Sequence, residues 1–264
     1  MALEQTVQWY PGHMARAVRR LTEDLRLIDV VIEVVDARVP QAGRNPRLAQ
    51  LAARHIRLLV LSRSDLASSD ATARCLEYLR KNNEHAVALN ATAPTGFARL
   101  RATVAKLIGE LPSARAIVLG IPNAGKSTII NGLAGRAVAR TEDRAGVTRA
   151  AQWFRMPGKK KVEVMDTAGI LMPKISTAQA QWKLALVGAV PRARFDAADI
   201  VMQFTQWAAE SGIENIPSLE TFAQTRGFMQ RGTEVNLHNA AWSYIKDFNE
   251  GRFGRITLEK EPPP

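Results

Sequence analysis

The sequence predicts an α/β fold, with a mostly parallel sheet followed by a small all-helical domain, and three observations support this prediction. Short β-branched runs, such as residues 30–35 and 56–61, alternate with amphipathic helical segments, which is typical of parallel sheets whose strands are buried on both faces. A glycine-rich loop follows the apolar run at 116–119 and precedes a further helical segment. Strand signals then stop near Ser176, and helical periodicity takes over.

Periodicity and turn residues assign the elements in chain order. An apolar stripe from Met14 to Ile28, at spacings of three and four residues, predicts a first helix, and the dipeptide Pro11-Gly12 predicts a loop before it. Strands are predicted at 30–35, 56–61, 86–90, 116–119, 152–155 and 161–165, the last two forming a hairpin. Helices are predicted in a short segment after Pro46 and at 70–82, 96–110, 128–134, 179–190, 197–210, 218–226 and 236–249.

Aromatic residues recur at helical spacing in the last third of the chain. We interpret most of them as the core of the helical domain, and base-stacking platforms are the alternative. They are Trp182, Phe204, Trp207, Phe222, Trp242, Tyr244 and Phe248.

The chain carries 36 lysine and arginine residues against 25 acidic residues, a formal net charge of +11. This excess favours a polyanionic partner such as nucleic acid, and a basic protein without such a partner is the alternative.

The single cysteine, Cys75, excludes an internal disulfide and a cysteine metal cluster. No apolar run reaches 18 residues and the start has no signal-peptide pattern, so we expect a cytoplasmic protein without a membrane anchor. We also expect it to be a monomer.

Residues 120–128, Gly-Ile-Pro-Asn-Ala-Gly-Lys-Ser-Thr, fit the pattern G-x-x-x-x-G-K-[ST] of a phosphate-binding loop. The glycines let the backbone curl so that successive N–H groups face phosphate oxygens, and the helix that follows adds its partial positive charge. Lys126 is expected to reach the β- and γ-phosphates, and the Ser127 hydroxyl to ligate Mg²⁺. The sequence therefore predicts a P-loop NTPase-like sheet, and an ordinary glycine-rich turn is the alternative. The predicted nucleotide-binding residues of this loop are Asn123, Ala124, Gly125, Lys126, Ser127 and Thr128.

A second carboxylate is needed to hold Mg²⁺, and a backbone N–H is needed to contact the γ-phosphate. Asp166, at the end of the predicted strand 161–165, and Gly169 are the candidates. Ligands of open α/β sheets bind at such strand ends. Thr148, in a polar loop between the two motifs, is a candidate to close over the metal. The alternative for Asp166 is a carboxylate that caps a turn.

The order of the motifs along the chain resembles that of a circularly permuted GTPase. Asp65, within residues 62–65 (Ser-Arg-Ser-Asp), stands where the Asn-Lys-x-Asp motif of GTPases has its aspartate, but it precedes the phosphate loop. The resemblance implies that Asp65 selects guanine, and that the backbone at Asn90 and Ala91 contacts the guanine carbonyl.

Three further motifs narrow the resemblance to the ribosome biogenesis GTPase A family. They are residues 9–14 (Trp-Tyr-Pro-Gly-His-Met), 36–40 (Asp-Ala-Arg-Val-Pro) and 166–174 (Asp-Thr-Ala-Gly-Ile-Leu-Met-Pro-Lys). The resemblance reaches residues 253–255 (Phe-Gly-Arg) and so covers nearly the whole chain. It implies a permuted GTPase domain over residues 1–174 and a helical domain over 175–264 that contacts ribosomal RNA. It also implies GTP and GDP as ligands, Mg²⁺-dependent hydrolysis, and assistance in late assembly of the large ribosomal subunit.

The chain departs from common GTPases in three ways. Ile170 occupies the place of the glutamine that orients the attacking water, and the resemblance offers His13 as the substitute. A loop histidine that orders its turn or contacts RNA is the alternative. Asn123 matches a position that coordinates K⁺ in related GTPases, with a plain polar loop residue as the alternative. Ser62 and Arg63 replace the asparagine and lysine of the base motif, so we predict guanine preference with weakened affinity. Arg63 is expected to lie along the purine face.

The leading functional interpretation is a GTPase with His13, Lys126 and Thr148 as catalytic residues, whose hydrolysis of GTP releases it from an assembling large subunit. A nucleotide-responsive RNA-binding module with negligible hydrolysis is the alternative, favoured by Ile170 and by the altered base motif. A GTPase that acts on membranes is less well supported, because no lipidation or amphipathic anchor motif is present. A GTPase that acts on tRNA is less well supported, because the tRNA-modifying relatives of the resembled family are not permuted. We further expect the segment after Gly169 to couple the γ-phosphate to the helical domain.

Overall fold

A computed structural model of the chain describes residues 11–138, 152–166, 177–228 and 235–259. Within these ranges the strands are β1 (Val30–Asp36), β2 (Ile56–Ser62), β3 (His85–Ala88), β4 (Ser113–Gly120), β5 (Gln152–Met156) and β6 (Lys161–Asp166). The α-helices are α1 (Pro11–Leu25), α2 (Pro46–Leu51), α3 (Ser69–Lys81), α4 (Gly96–Leu107), α5 (Lys126–Ala134), α6 (Ala178–Leu186), α7 (Ala197–Glu210), α8 (Leu219–Thr225) and α9 (Leu237–Asn249). A 3-10 helix lies at Arg192–Arg194.

The strands form one sheet in the order β3-β2-β1-β4-β6-β5. All neighbouring pairs are parallel except β5 and β6, which pair antiparallel as the predicted hairpin requires. Strand β1 lies between β2 and β4, and Val34 is in register with Val60 on one side and Gly120 on the other. The loops that follow β1, β2 and β4 therefore leave the same edge of the sheet, as expected for parallel strands.

The predicted α/β class, the mostly parallel sheet and the helical C-terminal part are confirmed. The loop predicted at Pro11-Gly12 is wrong, because α1 begins at Pro11. Proline is well suited to the first turn of a helix, where its missing N–H would have no intrahelical partner. Helix α4 ends at Leu107, before the predicted residue 110, and Gly109 follows with a positive φ of 53°, which glycine adopts without steric cost.

The helical part has an aromatic core. Trp182, Phe204, Phe222, Tyr244 and Phe248 are all at most 4% exposed. The rings of Phe204 and Phe248 pack edge to face with centroids 5.2 Å apart, a favoured aromatic arrangement. The interpretation of these residues as core is confirmed, and for the part of the chain described here no helix is long and apolar enough to cross a membrane.

The apolar core is continuous between the sheet and the helices. One cluster of buried side chains contains Val34 and Val118 of the sheet together with Trp182 and Phe204 of the helical part. The predicted division of the chain at residue 174 stays a prediction. The continuous core means that displacing the helices from the sheet would expose apolar surface, which opposes free movement of one part against the other.

Candidate nucleotide-binding site

The phosphate loop connects the end of β4 to the start of α5. At Gly120 an added Cβ would lie 2.4 Å from the Val34 carbonyl oxygen of the neighbouring strand, so a side chain there would collide with backbone. Gly125 has a φ of 93°, in the region that glycine adopts without the steric cost of a side chain. Both glycines are therefore required by the backbone path, as the motif predicts.

The polar side chains of the phosphate loop lie at the N-terminus of α5. The Lys126 ammonium donates to the Ile121 carbonyl oxygen at 2.7 Å, so it reaches back over the loop. Ser127 is half-buried and Thr128 is exposed in the first turn of the helix. A helix N-terminus presents unpaired N–H groups and partial positive charge, the environment that phosphate oxygens favour.

Ser62 joins the predicted base-selecting loop to the phosphate loop. Its side chain is buried, and its hydroxyl lies 2.6 Å from the Ala124 carbonyl oxygen and 3.2 Å from that of Val35. A hydroxyl has one proton, and the shorter distance favours donation to Ala124. The serine thus connects two loops whose predicted roles are base selection and phosphate binding, so replacement of the motif's asparagine does not separate them.

Arg63 adopts an unusual backbone conformation between Ser62 and Asp65. Its φ is 52°, and residues other than glycine, asparagine and aspartate rarely have a backbone in this region. Its guanidinium lies 3.9 Å from the Asp36 carboxylate. Burial lowers the pKa of Arg63, and the neighbouring carboxylates of Asp36 and Asp65 partly oppose that shift. Its position along the purine face stays a prediction.

Asn90 begins a third loop beside the base-selecting loop. Its side-chain oxygen accepts hydrogen bonds from the backbone N–H and the hydroxyl of Thr92, at 2.8 and 2.7 Å. The Ser64 N–H donates to the Leu89 carbonyl oxygen at 3.2 Å, which holds the two loops together. An added Cβ at Gly96 would lie 2.4 Å from the Asn90 carbonyl oxygen, so a glycine is needed where α4 begins.

The predicted magnesium ligands fit that ion in their chemistry. Asp166 ends β6 in register with Val118 of β4, two residues before the phosphate loop starts, and Ser127 supplies a hydroxyl at the other end of the loop. Carboxylate and hydroxyl oxygens suit Mg²⁺, which is usually bound by few side chains together with phosphate oxygens and water. The described residues contain no cluster of three or more histidine, cysteine or acidic side chains that could hold a metal by itself.

Asn123 connects the phosphate loop to the helical part. Its side-chain N–H donates to the Gly188 carbonyl oxygen at 2.6 Å, just after α6 ends. The amide oxygen is the atom that a K⁺ ion would bind. The predicted potassium role is compatible with this contact and stays a prediction.

The described residues bring most of the predicted site to one edge of the sheet. The side chain of His13 lies outside the described residues, as do Thr148, Gly169 and Ile170, so their roles stay predictions. The predicted site residues that end or follow β2, β3, β4 and β6 are Ser62, Arg63, Asp65, Asn90, Ala91, Asn123, Ala124, Gly125, Lys126, Ser127, Thr128 and Asp166.

Arg38 is a residue of this region to which sequence reasoning gave no role. Its side chain is 1% exposed and binds both carboxylate oxygens of Asp36, at 2.7 and 3.0 Å. It also donates to the Asn249 side chain at 3.0 Å and lies 5.0 Å from the centre of the Phe248 ring. The signals in the sequence were its place in the motif at residues 36–40 and the acidic residue two positions before it, at the end of a buried strand. Arg38 connects the end of β1 to α9.

We expect Arg38→Met to destabilise the protein by about 3–5 kcal/mol, because it would leave the buried Asp36 carboxylate without its main partner. Urea unfolding followed by circular dichroism measures the change, with Arg74→Met, at an exposed arginine on α3, as the control. The double variant with Asp36→Leu removes the unpaired charge and should recover most of the loss. A single variant as stable as the wild type would contradict this account.

Known proteins are similar to this chain over most of its length. The sequence profile of a family described as "50S ribosome-binding GTPase" matches residues 115–227. "Ribosome biogenesis GTPase A" of Bacillus cereus is 33% identical over 278 residues, covering 96% of this chain and 93% of that protein. The crystal structure of GNP-bound YlqF from T. maritima superposes with a TM-score of 0.73 at 30% identity, covering 93% of this chain and 98% of that one. A GDP-bound YlqF structure matches with the same score and identity.

Proposed function

The chain belongs to the ribosome biogenesis GTPase A family and is a GTPase, and from this membership we propose that it assists late assembly of the large ribosomal subunit. In this proposal it binds GTP with Mg²⁺ at the phosphate loop and contacts ribosomal RNA through its helical part. It acts as a cytoplasmic monomer, and hydrolysis of GTP releases it from the particle.

One observation carries the nucleotide site, namely the 2.6 Å contact between the Ser62 hydroxyl and the Ala124 carbonyl oxygen. It joins the loop that is predicted to select the base to the phosphate loop, although Ser62 precedes Ala124 by 62 residues. The base and the phosphates are at opposite ends of one nucleotide. A site for it therefore needs a loop that binds the base close enough to a loop that binds the phosphates for the same molecule to reach both. We propose that Asp65 accepts from the N1 and N2 donors of guanine, while the amides of the phosphate loop hold the phosphates.

The chemistry follows from charge and position. We propose that Ser127 and Asp166 hold Mg²⁺, which supplies positive charge against the phosphates when it is bound. Lys126 adds a second positive charge at the β- and γ-phosphates, and the N-terminus of α5 adds a partial one. Asn123 is proposed to hold K⁺ beside the same phosphates. Because an apolar Ile170 does not orient water, we assign that task to His13, with Thr148 closing over the metal.

The helical part carries exposed basic side chains that suit an RNA partner. Arg192 and Arg194 are exposed next to α7, and the Arg192 guanidinium lies 4.9 Å from the centre of the Trp242 ring. The whole chain has a net charge of +11. Exposed arginines gain from counterion release on a phosphate backbone.

We expect the protein to sediment with large ribosomal subunits in the presence of a non-hydrolysable GTP analogue, and about tenfold less with GDP, which is the size of a typical allosteric coupling. Pelleting of subunits with analogue, with GDP and without nucleotide measures this, and small subunits are the matched control. Association should weaken steeply with salt. Equal binding to both subunits, or none to large subunits in any nucleotide state, would contradict the proposal.

A further inference from the structure

The segment after α9 returns to the sheet and lies across the loop after β1 and the loop after β2, the second of which carries Asp65. We name residues 255–259 the C-terminal clip. Its backbone and side chains are hydrogen-bonded both to the loop after β1 and to the loop after β2. These contacts are Leu258 N–H to Arg38 O (2.8 Å), Ile256 N–H to Leu66 O (3.0 Å), Ser68 N–H to the Thr257 hydroxyl (3.1 Å), and Gln41 and Ala42 N–H to the Glu259 carboxylate (2.5 and 2.9 Å).

Arg255 contacts the backbone of the predicted base-selecting residue itself. Its Nε donates to the Asp65 carbonyl oxygen at 3.1 Å, and its second guanidinium nitrogen donates to the Ser64 carbonyl oxygen at 3.2 Å. The guanidinium is planar and rigid, so two such bonds fix the orientation of the peptide units on which they converge. Arg255 therefore restrains the main chain from which the Asp65 carboxylate projects.

This restraint matters because the loop adopts an unfavourable backbone conformation that its surroundings must maintain. Arg63 has a φ of 52°, and a non-glycine residue in a sparsely populated backbone region persists only when its surroundings hold it there. Ser62 fixes one end of the loop through Ala124. The clip fixes the other end, at Ser64, Asp65 and Leu66.

The clip is anchored independently of Arg255. Ile256 is 5% exposed and Leu258 is fully buried, whereas Arg255 is exposed. The apolar side chains hold the segment in place through burial, so removing the guanidinium should leave the segment seated while releasing the loop.

We propose that Arg255 is a positioning residue for guanine recognition, which holds the Asp65 backbone so that the carboxylate meets the N1 and N2 donors of the base. This inference rests on the proposed function, in which Asp65 selects guanine. Because the loop contacts the base and not the γ-phosphate, GTP and GDP should depend on Arg255 equally. Inosine nucleotides lack the N2 donor and should depend on it less.

The test compares nucleotide affinities of Arg255→Ala and wild type by calorimetry with Mg²⁺. We expect both GDP and a non-hydrolysable GTP analogue to bind about fivefold more weakly, the effect of one or two modest hydrogen bonds, and the preference for GDP over IDP to fall. Arg255→Lys should recover part of the loss. Arg252→Ala is the control, because Arg252 is exposed on the turn just before the clip and pairs with Asp247 and Glu250.

Two outcomes would overturn the inference. If Arg255→Ala lowered the melting temperature but kept the wild-type affinity and the GDP-to-IDP preference, the arginine would be merely structural. That result leaves the proposed function intact as long as wild type binds GDP and Asp65→Asn abolishes its guanine preference. If wild type did not bind GDP, or Asp65→Asn left the guanine preference unchanged, the proposed nucleotide site would fail, and this inference would fail with it.

Discussion

Lys126→Ala is expected to lower single-turnover GTP hydrolysis by about 10²- to 10³-fold, the usual cost of removing one charge directed at the reacting phosphates. The Lys126 ammonium reaches back to the Ile121 carbonyl oxygen, so it lies over the loop where the β- and γ-phosphates are proposed to bind. Alanine is a good helix former, and it should not disturb the start of α5. The loss should therefore appear in hydrolysis and in nucleotide affinity, not in folding.

The measurement is single-turnover hydrolysis with and without large ribosomal subunits. Lys106→Ala, at an exposed lysine on helix α4, is the matched control and should behave as wild type. Lys126→Arg keeps the charge, but a planar guanidinium replaces a compact ammonium, so it should recover little. Hydrolysis by Lys126→Ala within a factor of three of wild type would show that the phosphates lie elsewhere.

Asp65→Asn is expected to weaken GTP binding by about 10²- to 10³-fold and to create binding of xanthosine nucleotides. A carboxylate accepts from both the N1 and N2 donors of guanine, whereas an amide accepts one proton and turns its own N–H toward the other donor. Xanthine carries a carbonyl oxygen in place of the N2 amine, so the amide is complementary to it. A site that is built to accept one pattern of hydrogen-bond donors strongly rejects ligands that lack one of those donors.

Calorimetry with GDP and with xanthosine diphosphate, on wild type and on Asp65→Asn, measures the change in base preference. Asp70→Asn, at an exposed aspartate in the first turn of α3, controls for the loss of one negative charge. Comparable GDP affinity of Asp65→Asn and wild type would remove Asp65 from the site. So would binding of ATP as tightly as GTP by wild type, because the predicted guanine preference rests on this one carboxylate.

The sequence by itself determined the order and type of the elements. The β-branched runs became the buried strands of a parallel sheet, because such side chains pack well on both faces of a pleated surface. The pattern around Gly120 and Lys126 predicted the strand–loop–helix connection, since it depends only on residues close together in the chain. The aromatic spacing in α7 and α9 predicted a helical core. The motif order, with Asp65 before the phosphate loop, was enough to identify the permuted GTPase family.

Only the tertiary structure decided which distant residues support the site. Ser62 meets Ala124, Arg38 meets Asn249, and Arg255 meets the backbone of Asp65 across 190 residues of sequence. The local sequence did not reveal these contacts, because a single polar side chain forms no repeating pattern along the chain. Its partner depends on how whole elements pack. The apolar pattern fixes which faces are buried, whereas the directional hydrogen bonds that hold the loops form only once the sheet and the helices are assembled around a common core.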